Sequence, residues 1–172
     1  MTSSELFIAM PTSMLNEILE FTWANDKALY RVTMEAVAQS RKVRSVFLER
    51  QPRSERHTVM ANTLTRPPLI VAANNLISNW LIKKHTSVLT DFLDALKIPH
   101  EKGVVEDLPK EMEDAALTAA IDNLLAKYPH NVVVLYLHAF NDMNEAHWPN
   151  LTEKLKTDAR LHFENEPAPT GQ

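Results

Sequence analysis

The chain has 172 residues, of which 45% are hydrophobic and 23% charged, with a formal net charge of −4. That length buries a core without a staple, and that composition excludes a disordered chain. The absence of Cys removes disulfides, thiolate zinc sites and cysteine nucleophiles together, and two glycines in all disfavour phosphate-cradling loops and tight hairpins.

The first residues lack a basic n-region, and no stretch reaches the roughly 18 apolar residues that span a bilayer. A cytoplasmic protein is expected, with one helical domain over 1–163 and a disordered tail over 164–172. The net charge conceals three blocks. Residues 1–26 carry four acids and no Lys or Arg (−4), residues 27–84 eleven bases against three acids (+8), and residues 85–172 seven against fifteen (−8). Segregation of this kind bears on partners more than on fold.

Leu6, Phe7, Ile8 and Met10 form an apolar run that must be covered, by the chain's own domain or by a neighbouring copy. After Pro11, Thr12 or Ser13 is a candidate cap for a helix carrying Leu15, Ile18 and Leu19, with Trp23 near its end. Asn25 or Asp26 then caps a long helix whose face is Leu29, Val32, Ala36, Val43, Val46 and Phe47, ended by Pro52. A short helix follows over Ser54 to Leu64, with Val59, Met60 and Leu64 inward. Pro67-Pro68 opens the most apolar helix, with Leu69, Ala72, Ala73, Leu76, Ile77, Trp80 and Leu81 as a wide stripe. It is predicted to be the centre of the core, and Lys83 and Lys84 complement the negative end of its dipole.

Thr86 or Ser87 caps the next helix, with Leu89, Phe92, Leu93 and Leu96 at i, i+3, i+4 and i+7. Residues 99–109 form the one long internal loop. Met112 to Tyr128 reads as an amphipathic helix with acids in its first turn. The run Val132 to Phe140 has strand-like residues, but it extends to about a dozen residues among helices and has no partner strand. It is predicted to be a buried helix, capped by Asn131. The helix, Pro129-His130-Asn131, helix junction resembles the link between tetratricopeptide repeats, but no second copy recurs and no function follows from it. Asn150 and Glu153 have the spacing of a capping box for a last helix with Leu151, Leu155 and Ala159. The fold predicted is therefore all-α, a helical bundle of about six to eight helices.

The strongest charge cluster is Arg41, Lys42, Arg44, Arg50, Arg53 and Arg56, six bases against Glu49 and Glu55, or +4 in 16 residues. Arginine's planar fork suits carboxylate and phosphate. Phe47 is expected to point inward, so aromatic side chains to stack bases are nearly missing around the cluster, which disfavours single-strand binding. No pair of the seven histidines has zinc-protease spacing, so no metal and no cofactor are indicated. Asp91 and Asp94 share a helix face but lie off the apolar stripe, and no nucleophile elbow occurs.

The reading is a non-enzymatic protein-interaction or scaffold module that self-associates or binds an acidic partner through the Arg-rich face. The alternatives are a nucleic-acid-binding accessory protein using 41–56, and a small-ligand protein or enzyme with a site at Trp80, His85, His100 and Glu101 near the loop. No membrane partner is expected.

Overall fold

A computed structural model of the protein describes residues 1–144 and 147–165. It is all-α, with ten α-helices and two 3-10 turns among the described residues. This exceeds the expected six to eight for two reasons: the long helix predicted from Asn25 to Pro52 is broken in two, and the N-terminal apolar run forms a helix of its own. The chain divides into two compact units, Met1–Thr86 and Ser87–Gln172. The charge follows this division: unit 1 has eleven bases and seven acids (+4), unit 2 seven and fifteen (−8). No helix among the described residues is long and apolar enough to cross a membrane.

Unit 1 holds α1 (Ser3–Ala9), α2 (Thr12–Asn25), α3 (Lys27–Ser40), α4 (Ser45–Glu49), α5 (Arg53–Leu64), a 3-10 turn (Pro67–Leu69) and α6 (Ile70–Lys84). The capping box lies at α1, where Thr2 and Glu5 cap each other's backbone N–H groups. Leu6, Phe7 and Met10 are buried and α1 packs on α6, so most of the apolar run is covered within its own unit, while Ile8 is 67% exposed. Ala73, Leu76, Ile77 and Trp80 have no exposed surface, and α6 touches α1, α2, α3 and α5, the central position its stripe predicts. Lys83 pairs with Asp26 at 2.9 Å and Lys84 with Glu17. Asp26 also caps α3 by accepting from Leu29 N–H at 3.0 Å, and these partners hold its carboxyl below the usual carboxylate range.

Unit 2 holds α7 (Thr86–Ala95), whose first residue is the last of unit 1, with α8 (Asp114–Lys127), α9 (His130–Met143), α10 (Pro149–Thr157) and a 3-10 turn (Ala159–Leu161). The 132–140 run is helix, and every residue of it is buried. Phe92, Phe140 and Trp148 pack ring against ring at 5.3 and 5.4 Å, and Tyr136 meets Phe92 edge-on at 5.4 Å. Helix α8 begins later than predicted, leaving Glu111 and Met112 in the loop. Asn150 makes no capping box; its side-chain amide donates to Met112 C=O at 2.8 Å, and Trp148 Nε1 donates to Pro109 C=O at 2.7 Å. These two bonds pin the end of the long loop to the start of α10. Glu164 N–H donates to Asn131 Oδ1 at 2.9 Å, whereas 166–172 of the expected tail lies outside the described residues.

The glycine argument needs correction. Four non-glycine residues have positive φ: Lys42, Lys97, Lys102 and His147. Lys97 closes α7 in a Schellman arrangement, with Ile98 N–H on Leu93 C=O and Lys97 N–H on Asp94 C=O. Lys102 (φ 50) and Gly103 (φ 85) form a tight two-residue turn between the paired Glu101 and Val104. A Cβ on Gly103 would sit 2.6 Å from Leu89 Cβ, so glycine is required there by space as well as by φ.

In urea denaturation, Gly103→Ala is expected to lower stability by roughly 1–3 kcal/mol, from left-handed strain and the clash. Lys97→Gly is expected to raise it by about 0.5–1 kcal/mol, since relief of the left-handed penalty exceeds the added chain entropy. A second expectation concerns His138, 3% exposed, whose Nε2–H donates to Leu161 C=O and whose pKa burial lowers from 6.5 to about 4. The unfolded chain therefore binds this proton more readily. Stability is full above about pH 6.5 and falls by roughly 3 kcal/mol as pH drops to about 4, a slope that His138→Gln flattens in denaturation measured at several pH values.

Candidate interaction surface

Helix α3 buries Tyr30, Thr33, Met34, Val37 and Ala38, spaced i, i+3, i+4, i+7 and i+8. The predicted face through Leu29, Val32 and Ala36 is offset from it, and Val32 is exposed. The sequence misled because two members of the true face carry hydroxyls. Thr33 Oγ1 donates to Leu29 C=O at 2.8 Å, which lets it face inward satisfied.

At its end α3 stops in a second Schellman arrangement. Val43 N–H donates to Ala38 C=O and Lys42 N–H to Gln39 C=O, with Lys42 at φ 58. The turn resets the helical phase, so in α4 it is Leu48 (3% exposed) that enters the core. Phe47, expected inward, is 62% exposed, and Val43 and Val46 are exposed with it.

The six predicted basic residues separate into two groups. Arg41, Lys42, Arg44 and Arg50 are exposed on the α3–α4 corner. Arg41 reaches Thr63 Oγ1 at 3.3 Å, while the side chains of Lys42, Arg44 and Arg50 have no hydrogen-bond or ion-pair partner among the described residues. Arg53 and Arg56 turn back onto the unit. The Arg53 guanidinium lies 3.9 Å over the Trp23 ring and pairs with Glu20 at 3.0 Å. Arg56 lies 5.7 Å over the Tyr30 ring and donates to Glu49 C=O at 3.5 Å.

Beneath Arg53 and Arg56 is a constellation the sequence did not reveal. His57, 2% exposed, has Nδ1 at 3.3 Å from Glu20 Oε1 and Nε2 at 2.9 Å from the Tyr30 hydroxyl. A carboxylate only accepts, so the neutral ring carries its proton on Nδ1 and Nε2 accepts from the Tyr30 O–H. Burial lowers the His57 pKa, opposed by Glu20 and assisted by Arg56 and Arg53. Burial likewise raises that of Tyr30. The order carboxylate, imidazole, hydroxyl resembles a nucleophile relay, but the terminal hydroxyl belongs to a residue only 6% exposed, away from any substrate. The three residues clamp α2, α3 and α5 together. Positions 20, 30 and 57 lie on three helices, and no spacing rule links them.

The four possible ligand residues lie as two pairs. In unit 1, the Trp80 and His85 rings are 4.2 Å apart, both side chains largely buried, and burial together with Lys84 lowers the His85 pKa. In unit 2, Gly103 N–H donates to His100 Nδ1 at 3.1 Å, which places the ring proton on Nε2, 2.8 Å from Asp94 Oδ1. His100 thus braces the turn that Glu101 begins. Asp94 is engaged there, and Asp91 is engaged with Lys127 and Tyr128, so the two carboxylates do not act as a pair. Among the described residues no three His, Asp or Glu side chains are grouped to hold a metal ion.

Compared with protein-family models, with curated proteins and with solved structures, the chain matches none. The corner at 41–50 therefore rests on its own geometry.

Tyr30→Phe removes the partner of a buried imidazole nitrogen and is expected to cost roughly 1–3 kcal/mol in chemical denaturation. A change within error would show that His57 does not depend on the hydroxyl.

Proposed function

We propose that the protein is a non-enzymatic interaction module that binds an acidic protein segment at the α3–α4 corner. One observation carries the reading: exposed Val43, Val46 and Phe47 stand among Arg41, Lys42, Arg44 and Arg50 within ten residues of chain. Apolar side chains ringed by cations are the makings of an interface with an apolar centre and a charged rim. The aromatic lies at the surface, where it serves as an anchor that loses water on docking. None of the four cations has a counter-charge among the described residues, and only Arg41 has a hydrogen-bond partner, so an acidic partner neutralises them without breaking an existing ion pair.

A nucleic acid is the second reading, now with one exposed aromatic in its favour. A phosphate backbone would engage the cations and leave Val43 and Val46 in water. An acidic segment carrying an apolar residue engages both, which is why it is preferred.

Fluorescence anisotropy with a labelled peptide rich in Glu, Asp and Leu tests the reading, with a 20-base-pair RNA duplex run beside it. Binding to the peptide is expected to weaken about tenfold or more when Arg44→Glu and Arg50→Glu are combined, and to weaken as salt rises from about 25 to about 250 mM. Arg53→Glu, whose parent side chain is already committed to Glu20 and Trp23, is expected to change it by less than about threefold. Absence of peptide binding at the lower salt overturns the proposal, and tighter binding of the duplex selects the nucleic acid.

A further inference from the structure

The corner has a complement elsewhere on the surface of the same chain. In unit 2 a cleft of about 400 Å³ is lined by half-buried Val105, Leu108 and Met143 and by exposed Glu106 and Asp107. Among the described residues Lys110 is the one cation on its lining, and neither carboxylate has a hydrogen-bond or ion-pair partner. Val104, beside the cleft in sequence, is 52% exposed. The cleft thus offers apolar surface and unpaired negative charge, where the corner offers an aromatic ring and unpaired positive charge. Its volume is ample for one phenyl ring. The 105–108 segment that lines it is flanked in sequence by bonds already described: the His100 brace with the tight turn at Lys102–Gly103 before it, and the Trp148 bond to Pro109 after it.

We infer that the acidic partner is a second copy of this chain, with Phe47 of one molecule seated in the 105–108 cleft of the next. Arg44 and Arg50, on either side of Phe47 in sequence, then face Glu106 and Asp107. This rests on the proposed function and names the partner within it. The −8 carried by unit 2 supplies the longer-range field that draws a +4 unit toward it. Knob and cleft are different patches, so the contact is heterologous. Each molecule added leaves one knob and one cleft unfilled, and association continues until a ring closes.

Sedimentation velocity on the full chain tests this, because two surface variants can be combined. At about 25 mM salt the protein's average mass is expected to rise with concentration over about 10 to 500 μM and to fall back at about 500 mM salt. Phe47→Asp and the double change Glu106→Lys with Asp107→Lys are each expected to be monomeric, with helical content and thermal melting unchanged. Mixed in equal amounts they should form a dimer that grows no further, since one supplies only a cleft and the other only a knob. A wild-type chain that stays monomeric throughout overturns the inference, as does association that survives Phe47→Asp or a mixture that stays monomeric or grows past the dimer. If the wild type is monomeric and the acidic peptide still binds, the inference falls and the interaction module stands. If the peptide also fails to bind, both fall.

Discussion

The left-handed turn at Lys42 is the constraint on which the surface of this protein depends. An unbroken helix from Asp26 onward would keep one phase through residue 50. The Schellman closure rotates the chain instead, so that Leu48 alone anchors α4 and Phe47 is turned into solvent. A single backbone conformation, adopted by a residue that pays about 1–2 kcal/mol for it, separates a buried stripe from an exposed anchor. Glycine would hold the same turn at lower cost and would remove a cation from the corner.

Legibility in the sequence varied with how apolar each segment is. Helices α6 and α7 were readable because their stripes are wide and end in clear signals: Pro67-Pro68 before one and Ile98-Pro99 after the other. The 132–140 run was readable as helix from its length and surroundings, against the preference of its β-branched residues. Helix α3 misled, because a hydroxyl bonded to the preceding turn counts as apolar in the folded chain and polar on paper. Caps were the least legible feature: Thr12, Asn131 and Asn150 all look like caps, yet Pro11, Pro129 and Trp148 occupy those places and give no side-chain bond.

The basic cluster was visible as composition but not as geometry. Its six residues divide according to whether an aromatic ring lies within reach, Trp23 for Arg53 and Tyr30 for Arg56, and those rings sit 30 and 26 positions earlier in the chain. Neither the division nor the Glu20, His57 and Tyr30 clamp has a local signature. Both depend on three helices meeting, which packing decides.

The boundary at Thr86 also bears on how the molecule is made. Each unit is one continuous stretch of chain, and α6, the hub of the first, is complete before the second begins. Synthesis therefore delivers the whole hydrophobic interior of unit 1, with its clamp and its lysine-capped corner, while unit 2 is still to come. The packing of α1, α2, α3, α5 and α6 on one another lies within one continuous stretch of chain, the arrangement that suits an N-terminal unit to forming first during synthesis.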